Sequence, residues 1–404
     1  MRFYRIVVSD PATGDVFVPN YNGKPGFSRV AASPLLSTYT SLNQGGTVSV
    51  AGSTNPAAQN IEIDLPVTFL HEPVPGAYLR IWGISLAEIG QANDLQGMNV
   101  AIYGGMAKGL PLANPQQSGL LASGQILQSF GNWIGTDMTL DMYVFFGGSS
   151  PTSNQTSGNP SSTSTTPLPS TNQNPANLTW LWKANQSFTE AVANTLSTAF
   201  PKYQIQGAVS PNLVWNGAPE VGYFATPAQF AQYINALSQK IIGGYAPNPQ
   251  AYPGVSLTLQ NNVITISDGT TQTSPKQINF LDLIGQPTFS QPFQVQVSCV
   301  MRADISVGDY VKLPPGPGIT QSGSASQYFN AQPGNQYSTA KSGSIFSGTF
   351  FVTAIRHIGN FRNPSHASWI TTLDLGYQLP NATVVSSMPV LYSGNNSYKF
   401  YLPN

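Results

Sequence analysis

The side chains able to do chemistry are few and scattered in this 404-residue chain. Its three histidines are His71, His357 and His366. Metal sites need clustered ligands at fixed spacing. His71-Glu72 is followed by Pro73 and Val74, and Pro75 stands where a zinc-protease helix would place its second histidine. His357 and His366 flank a Gly/Asn/Pro turn and could approach each other in a hairpin. The plain reading of all three is ordinary loop or strand histidines. Asp137 and Asp141, four apart, would share one face of a strand and could pair as the two acids of a glycoside hydrolase. The blander reading is exposed strand-end carboxylates. Cys299 alternates in phase with Val295 and Val297, which points it into a core; a reactive thiol needs a basic, accessible setting. Gly316-Pro317-Gly318 lacks the third glycine of a nucleotide-binding turn, and no nucleophile elbow or phosphate loop is present. Trp82, Trp133, Trp180, Trp182, Trp215 and Trp369 are spread along the chain. Stacking platforms for nucleic acid pair aromatics with basic residues, and only 16 Lys and Arg are available, so core and interface roles are expected. No catalytic, cofactor-binding or metal residue is assigned, and no cofactor is expected.

The composition supports that reading. Charged residues are 8% of the chain against about a quarter in ordinary domains, while hydrophobic residues, at 41%, suffice for a sizeable core. Charge keeps free proteins apart in solution, so its scarcity suits a subunit of a large assembly. The formal net charge of zero provides no overall basic field for nucleic acid. A single cysteine excludes an internal disulfide scaffold. The first residues contain no signal-peptide pattern and no run approaches a membrane helix, so assembly in a cytoplasm is the default expectation.

The elements that must position these residues are mainly strands, with a smaller α/β part. Ile61, Ile63, Leu65, Val67 and Phe69 alternate with polar residues, and Pro66 inside the run suggests an edge strand or a bulge. Strands follow at 78–82, 98–103, 124–130 and 139–146, with a capping box at Ser85 and Glu88 opening a short helix. Residues 149–178 carry no charge and read as a polar linker or exposed loop. From 179 to 272 the pattern is a small α/β domain. Its helices begin at Ser187 and at Thr226-Pro227, the second ending at Gly243-Gly244, and a hairpin turns at Gln260-Asn261-Asn262. Residues 273–385 return to strands at 293–301, 310–313, 349–357 and 369–375, interrupted by a polar loop over 314–344. Residues 386–404 read as a C-terminal arm.

Several of these segments resemble the baseplate hub proteins of contractile-tailed bacteriophages. The second β region carries Leu283-Ile284-Gly285-Gln286-Pro287, then Gly308-Asp309-Tyr310-Val311, then His357-Ile358-Gly359-Asn360 with Trp369-Ile370-Thr371. These are similar to the lead, turn and closing hairpin of the family's second tube domain. The first β region carries Pro75-Gly76-Ala77-Tyr78-Leu79-Arg80-Ile81-Trp82, then Val100-Ala101-Ile102-Tyr103-Gly104-Gly105, then Gly124-Gln125-Ile126, similar to the first tube domain.

The resemblance implies two tube-like β-barrel domains, 1–148 and 273–385, flanking the small α/β domain. It implies a structural virion protein and not an enzyme. Such a hub is a homotrimer whose six barrels form a pseudo-sixfold ring, joining the tail tube protein to a threefold spike protein. Baseplate wedge or other tail proteins would be further partners. The tape measure protein and, in passage only, DNA would occupy the lumen. A lumen lined by neutral polar side chains would not grip a passing polyanion. The location implied is the tail baseplate of the virion, assembled in the host bacterial cytoplasm. The alternative reading is a tail-associated peptidoglycan or capsule hydrolase using Asp137 and Asp141. A receptor-binding fibre would call for repeats that the chain lacks, and a secretion-system spike for a long β-helix.

Overall fold

The computed structural model describes residues 2–20, 26–33, 36–42, 55–72, 76–106, 117–146, 178–201, 203–215, 217–242, 252–260, 263–285, 287–291, 294–314, 348–377 and 382–394. The expected linker up to residue 177, the turn at Asn261-Asn262, Gly243-Gly244, loop 315–344 with Gly316-Pro317-Gly318, and the arm beyond 394 lie outside the described residues.

The first β half contains β1 (Arg2–Ser9), β2 (Val16–Pro19), β3 (Phe27–Val30), β4 (Tyr39–Thr40), β5 (Ile61–Val67), β6 (Ala77–Trp82), α1 (Leu86–Gly90), β7 (Asn99–Met106), β8 (Gly119–Ile134) and β9 (Asp137–Phe145). The middle contains β10 (Leu178–Trp182), α2 (Phe188–Ala199), β11 (Gln204–Ala208), β12 (Glu220–Phe224), α3 (Pro227–Ile242), β13 (Ser256–Gln260) and β14 (Val263–Ser267). Then follow β15 (Thr271–Thr273), β16 (Lys276–Gln277), β17 (Thr288–Gln291), β18 (Gln294–Val300), β19 (Tyr310–Leu313), β20 (Gly348–Asn360), β21 (Trp369–Tyr377), β22 (Thr383–Val385) and β23 (Val390–Tyr392).

The fold is mainly β, built on one large antiparallel sheet. Its hydrogen-bonded order is β17-β18-β21-β20-β5-β6-β9-β8-β7-β1-β2-β3, with β4, β16 and β19 attached at the side. Among the described residues this order has two ends and does not close on itself. The period-2 pattern at 61–67 is realised: Ile61, Ile63, Leu65 and Val67 are buried, with Glu62 and Asp64 turned to the other face. One continuous hydrophobic cluster draws on both β halves, from Tyr4, Leu65, Leu79 and Met142 to Val297, Val352 and Leu373. A second gathers Trp180, Trp182, Phe188, Leu196, Phe230, Ile234 and Ile266 around α2 and α3, with Leu70 reaching in from the first half.

Pro66 departs from expectation, because β5 is internal to the sheet and lies between β20 and β6. Ile61 turns its carbonyl to β20, accepting from Phe361 N, and Asn60 turns its carbonyl toward β6, accepting from Trp82 N. The even residues of β5 therefore face β6. That ladder ends at Asp64–Tyr78, so the missing N–H of Pro66 falls where β6 offers no partner.

The helix starts are as the sequence indicates. Ser85 and Glu88 form a reciprocal capping box on α1, and the Ser187 hydroxyl accepts from Glu190 N on α2. Thr226 accepts from Gln229 N through its hydroxyl and from Phe230 N through its carbonyl at the head of α3. The first part of the expected arm is not free: β23 adds to the edge of β11.

Candidate functional site: the seam between the two β halves

The two β halves meet along β5 and β20, six residue pairs from Ile355–Val67 to Asn360–Glu62. The strands are separated by nearly 300 positions, and no local pattern could register them. Across the seam the Arg356 guanidinium donates to both oxygens of Asp64, at 2.7 and 2.6 Å. Asn360 Nδ2 donates to Glu62 Oε1 at 2.8 Å. Arg2 anchors the β20–β21 turn by donating to the carbonyls of Asn360 (3.0 Å), Ser365 (2.8 Å) and Asn363. Arg362 reaches back to the carbonyls of Pro56 and Ala58. Gly359 sits against β5 so closely that a Cβ would come within 2.7 Å of both Ile63 Cγ1 and Trp369 Cζ3.

Behind the seam lies a buried polar network. Thr371 Oγ1 meets His357 Nδ1 at 2.9 Å and accepts from Arg302 N at 3.0 Å. The Arg302 side chain is 2% exposed and is held by Asp304 through Nε (2.8 Å) and Nη2 (2.7 Å), with Asp282 at 3.4 Å from Nη1. Burial disfavours its charge, but the hydrogen bond and charge of Asp304 outweigh that and raise its pKa. Gln117 of the first half donates to Asp282 at 3.1 Å, and Trp369 Nε1 donates to Gly105 O at 3.0 Å. The network thus fastens the closing hairpin of the second half onto the first.

Each candidate from the sequence has a definite place. His357 is fully buried on β20, and burial pulls its pKa down to about 4. His366 is exposed on the turn after β20, so the hairpin does not join the two histidines. His71 stacks on Phe69, with centroids 5.4 Å apart, and burial lowers its pKa. Cys299 is buried in the core, its thiol pushed up to about 12 by burial and donating to Thr371 O at 3.4 Å. Asp137 is exposed at the β8–β9 turn, whereas Asp141 is fully buried.

The structure corrects the picture of Asp141 as an exposed carboxylate. It accepts from Tyr78, Arg80 Nε (2.5 Å), Asn132 Nδ2 (2.7 Å) and Thr139 Oγ1 (2.9 Å). Burial pushes its pKa up, but these hydrogen bonds prevail and hold it below the ordinary carboxylate range. Four residues of extended strand place Asp137 about 13 Å away, beyond the roughly 5–9.5 Å that glycosidase acids span. Asp141 therefore serves as a hydrogen-bond hub.

Trp180, Trp182 and Trp369 are buried, while Trp133 stands 64% exposed at the β8–β9 hairpin. Among the described residues no group of three or more His, Cys, Asp or Glu could hold a metal ion. Sequence reasoning missed Arg302, Thr371 and Arg2. One signal was available: Arg302 directly follows the apolar run ending Cys299-Val300-Met301, where an arginine needs a partner if it is buried.

No family model matches the chain, and no curated protein sequence matches it. Three solved structures show similar backbone paths. The 43 kDa tail protein of prophage MuSo2 from Shewanella oneidensis matches at 8% identity and TM-score 0.43, over 94% of this chain and 99% of that one. A tail protein from Neisseria meningitidis MC58 matches at 9% identity and TM-score 0.37, over 80% and 98% of the two chains. The half-lidded PdpA-VgrG complex of Francisella matches at 7% identity and TM-score 0.40, over 96% of this chain and 59% of that one. At these identities and TM-scores the likeness is loose.

Proposed function

We propose that this chain is a structural protein of a bacteriophage tail, the central hub of its baseplate, and not an enzyme. The observation that carries the reading is the β5–β20 ladder. The two segments whose motifs resemble the hub family's first and second tube domains fold as abutting parts of one sheet. A subunit that fills two positions of a ring needs its two halves locked side by side, and the ladder, the Arg356–Asp64 pair and the Arg302 network do that.

In this reading the tube-like barrels are 1–148 and 273–385, the small α/β domain is 179–272, and 149–178 is a linker. Three copies make a pseudo-sixfold ring between the tail tube and the threefold spike, in contact with wedge or other tail proteins. The lumen passes the tape measure and then DNA. Low charge suits a subunit that buries large faces against its copies.

Mass measurement in solution combined with negative-stain imaging tests this. A trimer forming open rings is expected. A stable monomer, or hydrolysis of peptidoglycan or capsule that is lost on Asp137→Asn, overturns it.

A further inference from the structure

Where β8, β9, β6 and β5 lie side by side, the face turned away from the core carries an ordered block of side chains. The register builds one row of directly opposed residues: Gln128 against Tyr143, Tyr143 against Tyr78, and Tyr78 against Asp64. Their alternating neighbours Met142, Leu79 and Ile63 are buried on the other face. The row crosses three strand spacings, about 14 Å. Its middle is aromatic and its two ends are polar.

Tyr143 is the exposed ring, at 42%. Two half-buried rings buttress it, Tyr78 with centroids 5.5 Å apart and Phe130 at 6.2 Å. The Arg80 guanidinium stands 5.4 Å over the Tyr78 ring and donates through Nε to Asp141 at 2.5 Å. Tyr78 donates its hydroxyl to the same carboxylate, which fixes the second ring in place. Among the described residues the Tyr143 hydroxyl, the Gln128 amide and the terminal amino groups of Arg80 have no hydrogen-bond partner. Rigid rings are therefore bordered by planar groups with donors and acceptors to spare.

This chemistry selects among ligands. A nucleic acid would set its phosphates against Asp64 and Glu62, while Arg80 and Arg356 are already paired with Asp141 and Asp64. An apolar protein surface would strip water from Asp64 and Arg80 without bonding them. A pyranose ring whose hydroxyls are equatorial incurs neither cost. Its C–H face covers an aromatic ring, and its hydroxyls leave edge-on toward the amide, guanidinium and carboxylate beside it. Such a ring is about as wide as one strand spacing, so a short run of linked sugars lies along the row.

We propose that this row is a binding platform for a neutral, β-linked oligosaccharide of gluco configuration. Its sugar faces stack on Tyr143 and Tyr78, and its hydroxyls bond Gln128, Arg80 and Asp64. The inference rests on the geometry of the sheet and is independent of the hub reading. Binding proceeds without cleavage, because Asp141, the buried acid beside the row, is committed to four donors.

The test titrates the full-length protein with chitohexaose and cellohexaose, by calorimetry and by saturation-transfer NMR. A hyaluronan hexasaccharide serves as the anionic analogue. Transfer should reach the C–H protons of the neutral sugars, and the oligomers should be recovered at unchanged mass. Tyr143→Ala should weaken binding about tenfold, and Tyr143→Phe, which keeps the stacking face, less than about threefold. Gln128→Ala should weaken it about threefold, and carries the test if Tyr143→Ala does not fold. Tyr223→Ala removes a tyrosine 63% exposed on β12 and should change nothing. Circular dichroism and oligomeric mass are followed for every variant. Absence of heat and transfer at millimolar sugar overturns the inference, as do folded Tyr143→Ala and Gln128→Ala proteins that bind like the native one. Shortened oligomers overturn it too, as does tighter binding of hyaluronan, of double-stranded DNA or of a proline-rich peptide, which also docks on aromatic rings.

Discussion

His357 makes the fold acid-sensitive in a window set by its burial. The ring is fully buried on β20, meets Thr371 at 2.9 Å, and its pKa falls to about 4 from an ordinary 6.5. Above pH 6.5 the imidazole is neutral in both folded and unfolded chains, and stability is unaffected. As the pH falls from 6.5 toward 4, the unfolded chain takes up a proton that the folded chain refuses, so stability is lost across that interval. At about 1.4 kcal/mol per pH unit, the whole difference is worth about 3 kcal/mol, of which about 2 kcal/mol has gone by pH 5. The measurement is urea unfolding at fixed protein concentration from pH 7.5 to 4.5, for the native chain and for His357→Gln. The glutamine amide retains a partner for the Thr371 hydroxyl and does not titrate. The native midpoint should fall faster than that of the variant, by the equivalent of about 2 kcal/mol at pH 5. His71 is present in both proteins, so its own lowered pKa cancels from the comparison. Parallel pH profiles would refute the assignment of a buried, neutral His357.

The seam and its network yield further expectations. Arg302→Met strands Asp282 and Asp304 without their cation and should cost about 3–5 kcal/mol in urea unfolding; a cost below about 1 kcal/mol would show the pair to be dispensable. Gly359→Ala must push Ile63 or Trp369 aside, so a loss of about 1–3 kcal/mol is expected, with earlier exchange of β5 and β20 amides by hydrogen–deuterium mass spectrometry. Asp141→Asn should lower thermal stability, because the carboxylate accepts four hydrogen bonds, whereas Asp137→Asn at the exposed turn should leave the melting temperature within a degree or so.

The local elements of this protein were legible in its sequence because each answers to a local rule. Ile61, Ile63 and Leu65 alternate because a strand places successive side chains on opposite faces. Ser85 with Glu88, and Ser187 ahead of Phe188, mark helix starts because the first turn of a helix needs side-chain acceptors. The inward direction of Cys299 followed from its phase with Val295 and Val297. Tertiary structure decided what depends on partners remote in the chain. Pro66 looked like an edge marker, yet its strand is internal, because tolerance depends on which neighbour its missing donor faces. Asp141 looked like a free strand-end acid, yet Tyr78, Arg80 and Asn132 arrive from other strands to enclose it. Arg356 and Asp64 have no relation in sequence and become a bidentate pair only when β20 is laid against β5. Hydrophobic periodicity specifies which face of a strand is buried; only the packed sheet specifies which strand lies beside it, and therefore which charges meet.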